Sequence, residues 1–253
     1  KVKADGDAAL IELTRKFEQR ELTPETIEMN QERRLEAARR VPDELRAALE
    51  DAANRVLAFH RTQDFQSSSL HRPGATLESR VSPLRRVAVY APGGTAAYPS
   101  SVLMAGIPAK VAGVPEVLLL TPRASDVVVL AADLAGIDRI FEIGGAQAVA
   151  AAAMGTDTVP RVDKIVGPGN AYVTAAKRQV YGLCDIDSIA GPSEILVVAD
   201  ESANPQIVAA DLISQAEHDL LACPILVTDH EPLIDQVDAA LREQLADLPR
   251  AEI

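Results

Sequence analysis

The segment VDKIVGPGNAYVTAAKRQV, residues 162–180, carries the pattern that decides the fold. A short apolar run leads into a turn of glycine and proline, and the turn leads into an alanine-rich stretch of helical character. The segments YAPGGTAAYPSS (90–101) and IGGAQAVA (143–150) repeat this arrangement. A strand, a glycine turn and a helix in succession are typical of βαβ units, so these segments predict a parallel sheet buried on both faces.

Short apolar runs alternate with helical segments from residue 86 onward. The runs are RVAVYA, EVLLLT, RIFEIG, KIVGPG, EILVVAD and PILVTD. The segment SIAGPSE, residues 188–194, separates the last two runs from the others. We therefore predict two α/β lobes. Residues 90–190 form one inserted lobe, and residues 1–89 together with 191–253 form a second, discontinuous lobe. One continuous sheet is the alternative.

The first third of the chain has the spacing of amphipathic helices. One apolar stripe contains Leu10, Leu13 and Phe17, and a later one contains Leu45, Leu49, Ala52, Val56 and Phe59. The polar segment SSSLHRPGATLESRVSP, residues 67–83, is predicted to be a loop.

Composition and charge exclude several classes of protein. Apolar residues make up 47% of the 253 residues and aromatic residues only 3%, so the cores are expected to be aliphatic. Acidic residues outnumber basic ones by 37 to 25, which argues against nucleic-acid binding. No apolar run reaches the roughly 18 residues that a membrane span needs. The first ten residues lack the apolar core of a signal peptide and do not begin with Met, so we expect the natural N-terminus to be missing.

The two cysteines, Cys184 and Cys223, are too few for a disulfide framework. We expect a reducing cytoplasm. We interpret Cys223 as a small core residue before a buried strand and Cys184 as part of a turn, and we expect neither to be a nucleophile.

The glycine turns come at the carboxyl ends of predicted strands, where open α/β sheets bind ligands. Glycine lets the backbone approach a ligand closely, and the following helix N-terminus favours an anion. The G-x-G-x-x-G fingerprint and the Walker A lysine are both absent. Each turn alone is also explained by the need to reverse the chain, so the ligand stays undefined at this level.

The segment DLISQAEHD, residues 211–219, continues a helix that Asn204 and Pro205 begin. Ile207, Val208 and Leu212 are expected to be buried. Asp211, Gln215 and His218 recur at helical spacing and therefore share another, polar face. Imidazole is a common metal ligand, but a glutamine is a poor one, so spacing alone favours a solvated polar face.

Five motifs occur in one collinear order: YAPGG, GGAQAVAA, VDKIVGPGNAYVTAAKRQV, IAGPSEILVVAD and DLISQAEHD. Together they resemble histidinol dehydrogenases, the zinc- and NAD-dependent family at the end of histidine biosynthesis. The resemblance implies two incomplete Rossmann-like lobes of the aldehyde dehydrogenase class, with a helical N-terminal region. It also implies an NAD site without the usual glycine fingerprint.

The resemblance assigns roles by motif. The NAD contacts would be Tyr90, Gln147 and Asn170. The substrate contacts would be Ser193, Gln215 and His218, of which Gln215 and His218 would also ligate zinc.

The implied activity is the oxidation of L-histidinol to L-histidine by two NAD, in a cytoplasmic homodimeric oxidoreductase of amino-acid biosynthesis. The family's catalytic Glu–His pair, and an Asp and a His that complete its zinc site, are expected beyond residue 253. No catalytic residue is therefore assigned in this chain, which we expect to be an inactive fragment by itself. Two alternatives stay open: a paralogous NAD-dependent dehydrogenase of another small alcohol, such as a sulfonated diol, and a decayed copy.

Overall fold

The structure is a computed structural model that describes residues 1–63, 65–93, 98–189, 193–217, 222–246 and 248. The chain divides into two compact units, residues 1–189 and 190–253. Parts of three sequence motifs lie outside the described residues, namely 94–97, 190–192 and 218–221.

The N-terminal region is helical, as predicted, and residues 1–63 contain four helices. They are α1 (Val2–Glu18), α2 (Pro24–Ile27), α3 (Gln31–Arg40) and α4 (Asp43–His60). The side chain of Asn30 accepts a hydrogen bond from the Arg33 amide and so caps α3. Leu10 and Leu49 are buried, but Phe17 and Phe59, at the ends of the predicted stripes, are exposed.

The segment predicted as a loop contains a β-hairpin, so that prediction was wrong. Strand β1 (Ser68–Arg72) pairs antiparallel with β2 (Ala75–Ser79), and Gly74 at the turn has a φ of 78°. Leu70 lies opposite Leu77. All ten strand residues are exposed, which explains why no buried apolar alternation marks the hairpin in the sequence.

The centre of the first unit is a five-stranded parallel sheet. Its strands are β3 (Arg86–Tyr90), β4 (Glu116–Leu120), β5 (Arg139–Phe141), β6 (Lys164–Val166) and β7 (Asp185–Ile186), in the order β5-β4-β3-β6-β7. The connecting helices are α5 (Pro99–Val111), α6 (Asp126–Leu134), α7 (Gly145–Met154) and α8 (Ala171–Val180). The sequence predicted all of these strands except the short β7. The strand order is that of a Rossmann-type sheet without its sixth strand.

Side chains of successive strand residues point to opposite faces, and both faces are covered. Ala88 and Leu118 belong to the core formed with α1, α7 and α8. Val89 and Leu119 belong to the core formed with α4, α5 and α6. The strands therefore consist of continuous apolar runs, as expected for a sheet buried on both sides.

The N-terminal helices pack on this sheet within residues 1–189, with α1 against α7 and α4 against α5. Their apolar faces, which include Leu10 and Ala53, are buried against the sheet and its connecting helices. This packing differs from the predicted grouping of residues 1–89 with 191–253, and that discontinuous lobe stays a prediction.

The second unit is a βαβα arrangement, as predicted. Strands β8 (Glu194–Ala199) and β9 (Cys223–Thr228) are parallel, and they alternate with α9 (Pro205–Ala216) and α10 (Glu231–Leu245). Val208 and Leu212 are buried against α10, whereas Ile207 is 62% exposed, so its predicted burial was wrong. The predicted α/β fold with parallel sheets and a helical N-terminal region is confirmed.

One face of the two-stranded sheet is apolar and exposed in the described part of the chain. Val197 and Leu226 contact the helices, while the alternate side chains point to the other face. These exposed side chains are Leu196, Val198, Ile225 and Val227.

None of the described helices combines the length and apolarity needed to cross a bilayer.

Candidate functional site

The crevice between the loops that follow β3 and β6 is the topological switch point of the five-stranded sheet. From β3 the chain adds β4 and β5 on one side and then returns to add β6 and β7 on the other. Loops leave the carboxyl ends of β3 and β6 in opposite directions, and such crevices bind ligands in open α/β sheets. Tyr90 ends β3 and Asn170 follows β6, so the predicted site residues lie at this edge.

The Tyr90 side chain is buried and points to the start of α7. Its phenolic oxygen accepts a hydrogen bond from the Gly145 amide at 3.0 Å. Burial raises the pKa of Tyr90, the Gly145 amide opposes that rise, and the Glu18 carboxylate adds to it. Tyr90 is therefore a neutral phenol at physiological pH, with an O–H that can donate to a ligand.

Gln147 lies in the first turn of α7 and is buried. Gly145 has a φ of 63°, and a Cβ at that position would lie 2.9 Å from Gln147 Oε1. The Gln147 side chain thus folds back over the helix N-terminus, beside the amide that Tyr90 accepts from. The structure brings Tyr90 and Gln147 together at a helix end whose dipole favours an anion.

Asn170 is the N-cap of α8. Its Oδ1 accepts hydrogen bonds from the Tyr172 and Val173 amides, each at 3.1 Å. No described residue accepts a hydrogen bond from the Asn170 Nδ2, and the residue is exposed at the sheet edge. Capping by itself explains an asparagine here, so its role toward NAD stays a prediction.

An ion pair between a buried lysine and a partly exposed aspartate fixes the turn before Asn170. Lys177 donates to the Gly167 carbonyl at 2.9 Å and forms an ion pair with Asp187. Asp187 in turn accepts from the Gly167 amide at 2.6 Å. Both backbone groups of Gly167 are thus satisfied by one charged pair. Our sequence analysis missed it, although a lysine between Val173 and Val180 on the buried face of α8 is a usable signal.

Several glycines of the turns are explained by packing. A Cβ on Gly93 would lie 2.0 Å from the Pro122 carbonyl oxygen, and one on Gly144 would lie 2.8 Å from the Pro122 ring. The loops after β3, β4 and β5 therefore meet around Pro122. These glycines are required by the fold and are not separate evidence for a ligand.

The residues predicted to hold substrate and zinc lie in or near the second unit. Ser193 is exposed directly before β8. Gln215 is in the last turn of α9, and its Nε2 is buried with no hydrogen-bond partner among the described residues. A rotation of the amide by 180° would place its oxygen there, as a metal ligand requires. His218 lies outside the described residues.

Within the described part of the chain, no group of three or more His, Cys, Asp or Glu side chains could hold a metal. The buried, unpartnered end of Gln215 fits one ligand of such a site. The predicted zinc and substrate roles of Ser193, Gln215 and His218 stay predictions.

The two cysteines are both free and differ in environment. Cys184 lies between α8 and β7 and is buried, and burial raises the pKa of its thiol to about 11. Cys223 is exposed at the start of β9, so its predicted core position was wrong. The strand face toward the helices begins at the next residue, which leaves Cys223 on the uncovered side.

At pH 8, iodoacetamide is expected to label Cys223 quickly and Cys184 slowly, because the buried thiol keeps its proton and is shielded from the reagent. Mass spectrometry of tryptic peptides over time measures both rates, and labelling in urea provides the control in which the two rates converge. Equal rates in the folded chain would contradict the buried position of Cys184.

The raised pKa of Cys184 also makes the free energy of unfolding depend on pH. Because folding raises this pKa, the contribution of the protonated thiol to stability is complete below about pH 9 and is lost as the pH rises through about 11.

The strand order, the N-termini of α7 and α8 at the carboxyl edge of the sheet and the absence of a glycine fingerprint define a Rossmann-like α/β protein without the usual dinucleotide motif. A family model described as histidinol dehydrogenase matches residues 1–253. The chain therefore belongs to the histidinol dehydrogenase family, and the resemblance in its motifs is confirmed.

Individual relatives agree with this assignment. A histidinol dehydrogenase of Aquifex aeolicus (strain VF5) is 50% identical over 253 residues, covering 100% of this chain and 59% of that protein. One of Syntrophotalea carbinolica is 52% identical, covering 100% of this chain and 60% of that protein. The crystal structure of histidinol dehydrogenase from Elizabethkingia anophelis has a TM-score of 0.90 at 40% identity, covering 99% of this chain and 59% of that one. The chain thus spans about 60% of the length of its relatives.

Proposed function

We propose that this chain forms the NAD-binding part, and supplies two zinc ligands, of an oxidoreductase that converts L-histidinol to L-histidine in histidine biosynthesis. Family membership supports the substrate and the pathway. The observation that carries the cofactor assignment is the contact of the Tyr90 hydroxyl with the Gly145 amide, beside Gln147, at the switch point of the sheet.

The residues of this edge would bind and orient the dinucleotide. Tyr90 and Asn170 each keep a donor that can reach a ligand, and Gln147 offers an amide beside the α7 N-terminus. Bound NAD supplies a hydride acceptor for each of the two oxidation steps. The fixed turn at Gly167 holds Asn170 in place, so binding needs little reorganisation of this edge.

Gln215 and His218 would hold zinc, and Ser193 would contact the substrate. Zinc, when bound, supplies a positively charged template for an amino alcohol that carries an imidazole. The unpartnered amide of Gln215 supports this role because it offers a buried polar atom with no competing partner among the described residues. The proposal includes a homodimer in the cytoplasm. The two free cysteines are in keeping with a reducing compartment.

The exchange Asn170→Asp tests the cofactor assignment. Aspartate keeps the oxygen that caps α8 but removes the amide donor and adds a negative charge beside the dinucleotide. NAD is expected to bind roughly tenfold more weakly, measured by calorimetric titration. Asn204→Asp makes the same exchange at the cap of α9 and provides the matched control, since Asn204 is given no contact with NAD.

Equal NAD affinity of the two variants, with unchanged unfolding midpoints, would remove Asn170 from the cofactor site. The substrate is tested separately in the full-length enzyme, by NADH formation from histidinol compared with other small alcohols. Turnover of another alcohol in preference to histidinol would favour the paralogue.

A further inference from the structure

The β1–β2 hairpin has one apolar and one polar face. Cross-strand pairing places Leu70 opposite Leu77 and Arg72 opposite Ala75, and these four residues share one face. Leu70 is 48% exposed and Leu77 is 63% exposed. The other face carries Ser69, His71, Thr76 and Glu78. Such alternation is typical of antiparallel strands that bury one face, and a hairpin without a packed face is only marginally stable in water.

The described part of the first unit does not cover this apolar face. All ten strand residues are exposed, and β1 and β2 pack chiefly on each other. On the polar face, hydrogen bonds join His71 to Ser69 and to Thr76, at 3.3 and 3.2 Å. The polar face is thus satisfied by its own side chains and by water, and the apolar face is the one that a partner would cover.

The second unit carries a similar uncovered surface, the open sheet face. It consists of the side chains of β8 and β9 that point away from α9 and α10, namely Leu196, Val198, Ile225 and Val227. Cys223 lies on the same side of β9 as Ile225. Parallel sheets occur almost only with both faces covered, so this face also requires a partner.

The two surfaces lie on segments of opposite charge. With histidine counted as neutral, residues 66–85, which contain the hairpin, have three arginines and one glutamate, a net charge of +2. Residues 190–253 have 13 acidic and 2 basic residues, a net charge of -11 in a chain of -12. Contact between two open sheet faces would bring two acidic units together, and contact between two hairpins would bring two basic segments together. A hairpin against an open sheet face instead joins opposite charges.

We propose that the apolar face of the hairpin in one copy of this chain packs on the open sheet face of a second copy. Each copy has both surfaces, so the contact occurs twice around a two-fold axis and closes a dimer. The leucines of the hairpin would lie at the buried centre, and Arg72 would meet the acidic surroundings at the rim. This inference rests on the homodimer in the proposed function and names the surface that forms it.

Sedimentation of the 253-residue chain over a range of concentrations measures the dissociation constant of the dimer. Leu77→Ser is expected to raise it about tenfold or more, because a buried leucine is lost from both contacts. Leu35→Ser is the matched control and should change nothing, since Leu35 is 46% exposed on α3, outside both surfaces. Arg72→Glu should weaken the dimer severalfold, and more at low than at high salt. Thermal unfolding of each variant checks that the fold is kept.

Cys223 reports on the open sheet face directly. In dilute solution it is expected to stay the fast thiol, because it is exposed at the start of β9. Its labelling by iodoacetamide should slow severalfold as the chain concentration rises through the dissociation constant, since the hairpin of the second copy then covers it. Leu77→Ser should shift this slowing to higher concentration by the same factor as the dissociation constant.

The outcomes separate the surface from the homodimer and from the cofactor assignment. A dimer that Leu77→Ser leaves unchanged, Cys223 labelling that does not slow when the dimer forms, or an equal effect of Leu35→Ser would overturn the surface while the homodimer stands. A monomer at every concentration would overturn both, and would leave the open sheet face to the additional chain that the longer relatives have. The NAD assignment would still be decided by the titration of Asn170→Asp.

Discussion

Replacing Gly167 by alanine is expected to destabilise the chain by about 3–5 kcal/mol and to abolish measurable NAD binding. Gly167 has a φ of 111°, which side-chain-bearing residues rarely adopt, and an added Cβ would lie 2.1 Å from the Tyr90 carbonyl oxygen. That oxygen belongs to the backbone of the central strand and cannot move aside, so the turn itself must shift. Asn170, three residues later, would shift with it.

The variant Gly182→Ala separates the cost of the positive φ from the cost of the close contact with the Tyr90 carbonyl. Gly182 has a φ of 95°, yet an added Cβ would meet no atom within 4 Å. This variant should therefore show only the conformational cost, about 1–2 kcal/mol, and should bind NAD normally. Urea unfolding followed by circular dichroism gives both free energies, and NAD titration gives the affinities. If both variants lose the same stability, close packing of the turn on Tyr90 is not what requires glycine at 167.

The parallel sheet was predictable because its strands are buried on both faces. Such strands are continuous apolar runs, and RVAVYA and EVLLLT differ visibly from the helical stretches around them. The order of the strands, and hence the crevice between β3 and β6, was not stated by the sequence. A two-residue strand such as β7 has no pattern long enough to detect.

The predictions that failed share one physical reason. Periodicity shows which residues of an element lie on one side, but it does not show whether another element covers that side. Phe17 and Phe59 share apolar stripes with buried leucines, and Ile207 was assigned to a buried face, yet all three are exposed. The loop prediction for residues 67–83 was wrong for a related reason. The pairing of the exposed hairpin depends on a turn and on backbone hydrogen bonds, and no buried face marks its strands in the sequence.

The sequence predicted where the candidate residues lie on the sheet, but not the contacts that they make; their roles stay predictions. Motifs placed Tyr90, Gln147 and Asn170 after three strands of one parallel sheet, which implies a common edge. One contact is the hydrogen bond between Tyr90 and Gly145, which are far apart in sequence. Another is the set of hydrogen bonds from Lys177 and Asp187 to the backbone of Gly167, which crosses a turn. Such contacts depend on the three-dimensional packing, which periodicity does not encode.

Lys177→Met is expected to lower the free energy of unfolding by about 2–4 kcal/mol. The Lys177 side chain is 4% exposed and neutralises Asp187 while donating to Gly167. Methionine fills a similar volume but leaves the carboxylate without its partner and one lone pair of the Gly167 carbonyl unsatisfied. The Asp187 side chain is 33% exposed, so water compensates part of the loss, which keeps the effect below that of a fully buried pair.

Lys164→Met is the matched control, because it makes the same exchange in an ion pair with Asp185 whose side chains are 30% and 52% exposed. A loss of no more than about 1 kcal/mol is expected there. The double variant Lys177→Met with Asp187→Asn should be more stable than Lys177→Met alone, since the unpaired charge is gone while an oxygen remains to accept from the Gly167 amide. If the double variant is instead the sum of two independent losses in urea unfolding, the pair is not coupled. Lys177 would then act through packing alone rather than by holding the turn that carries Asn170.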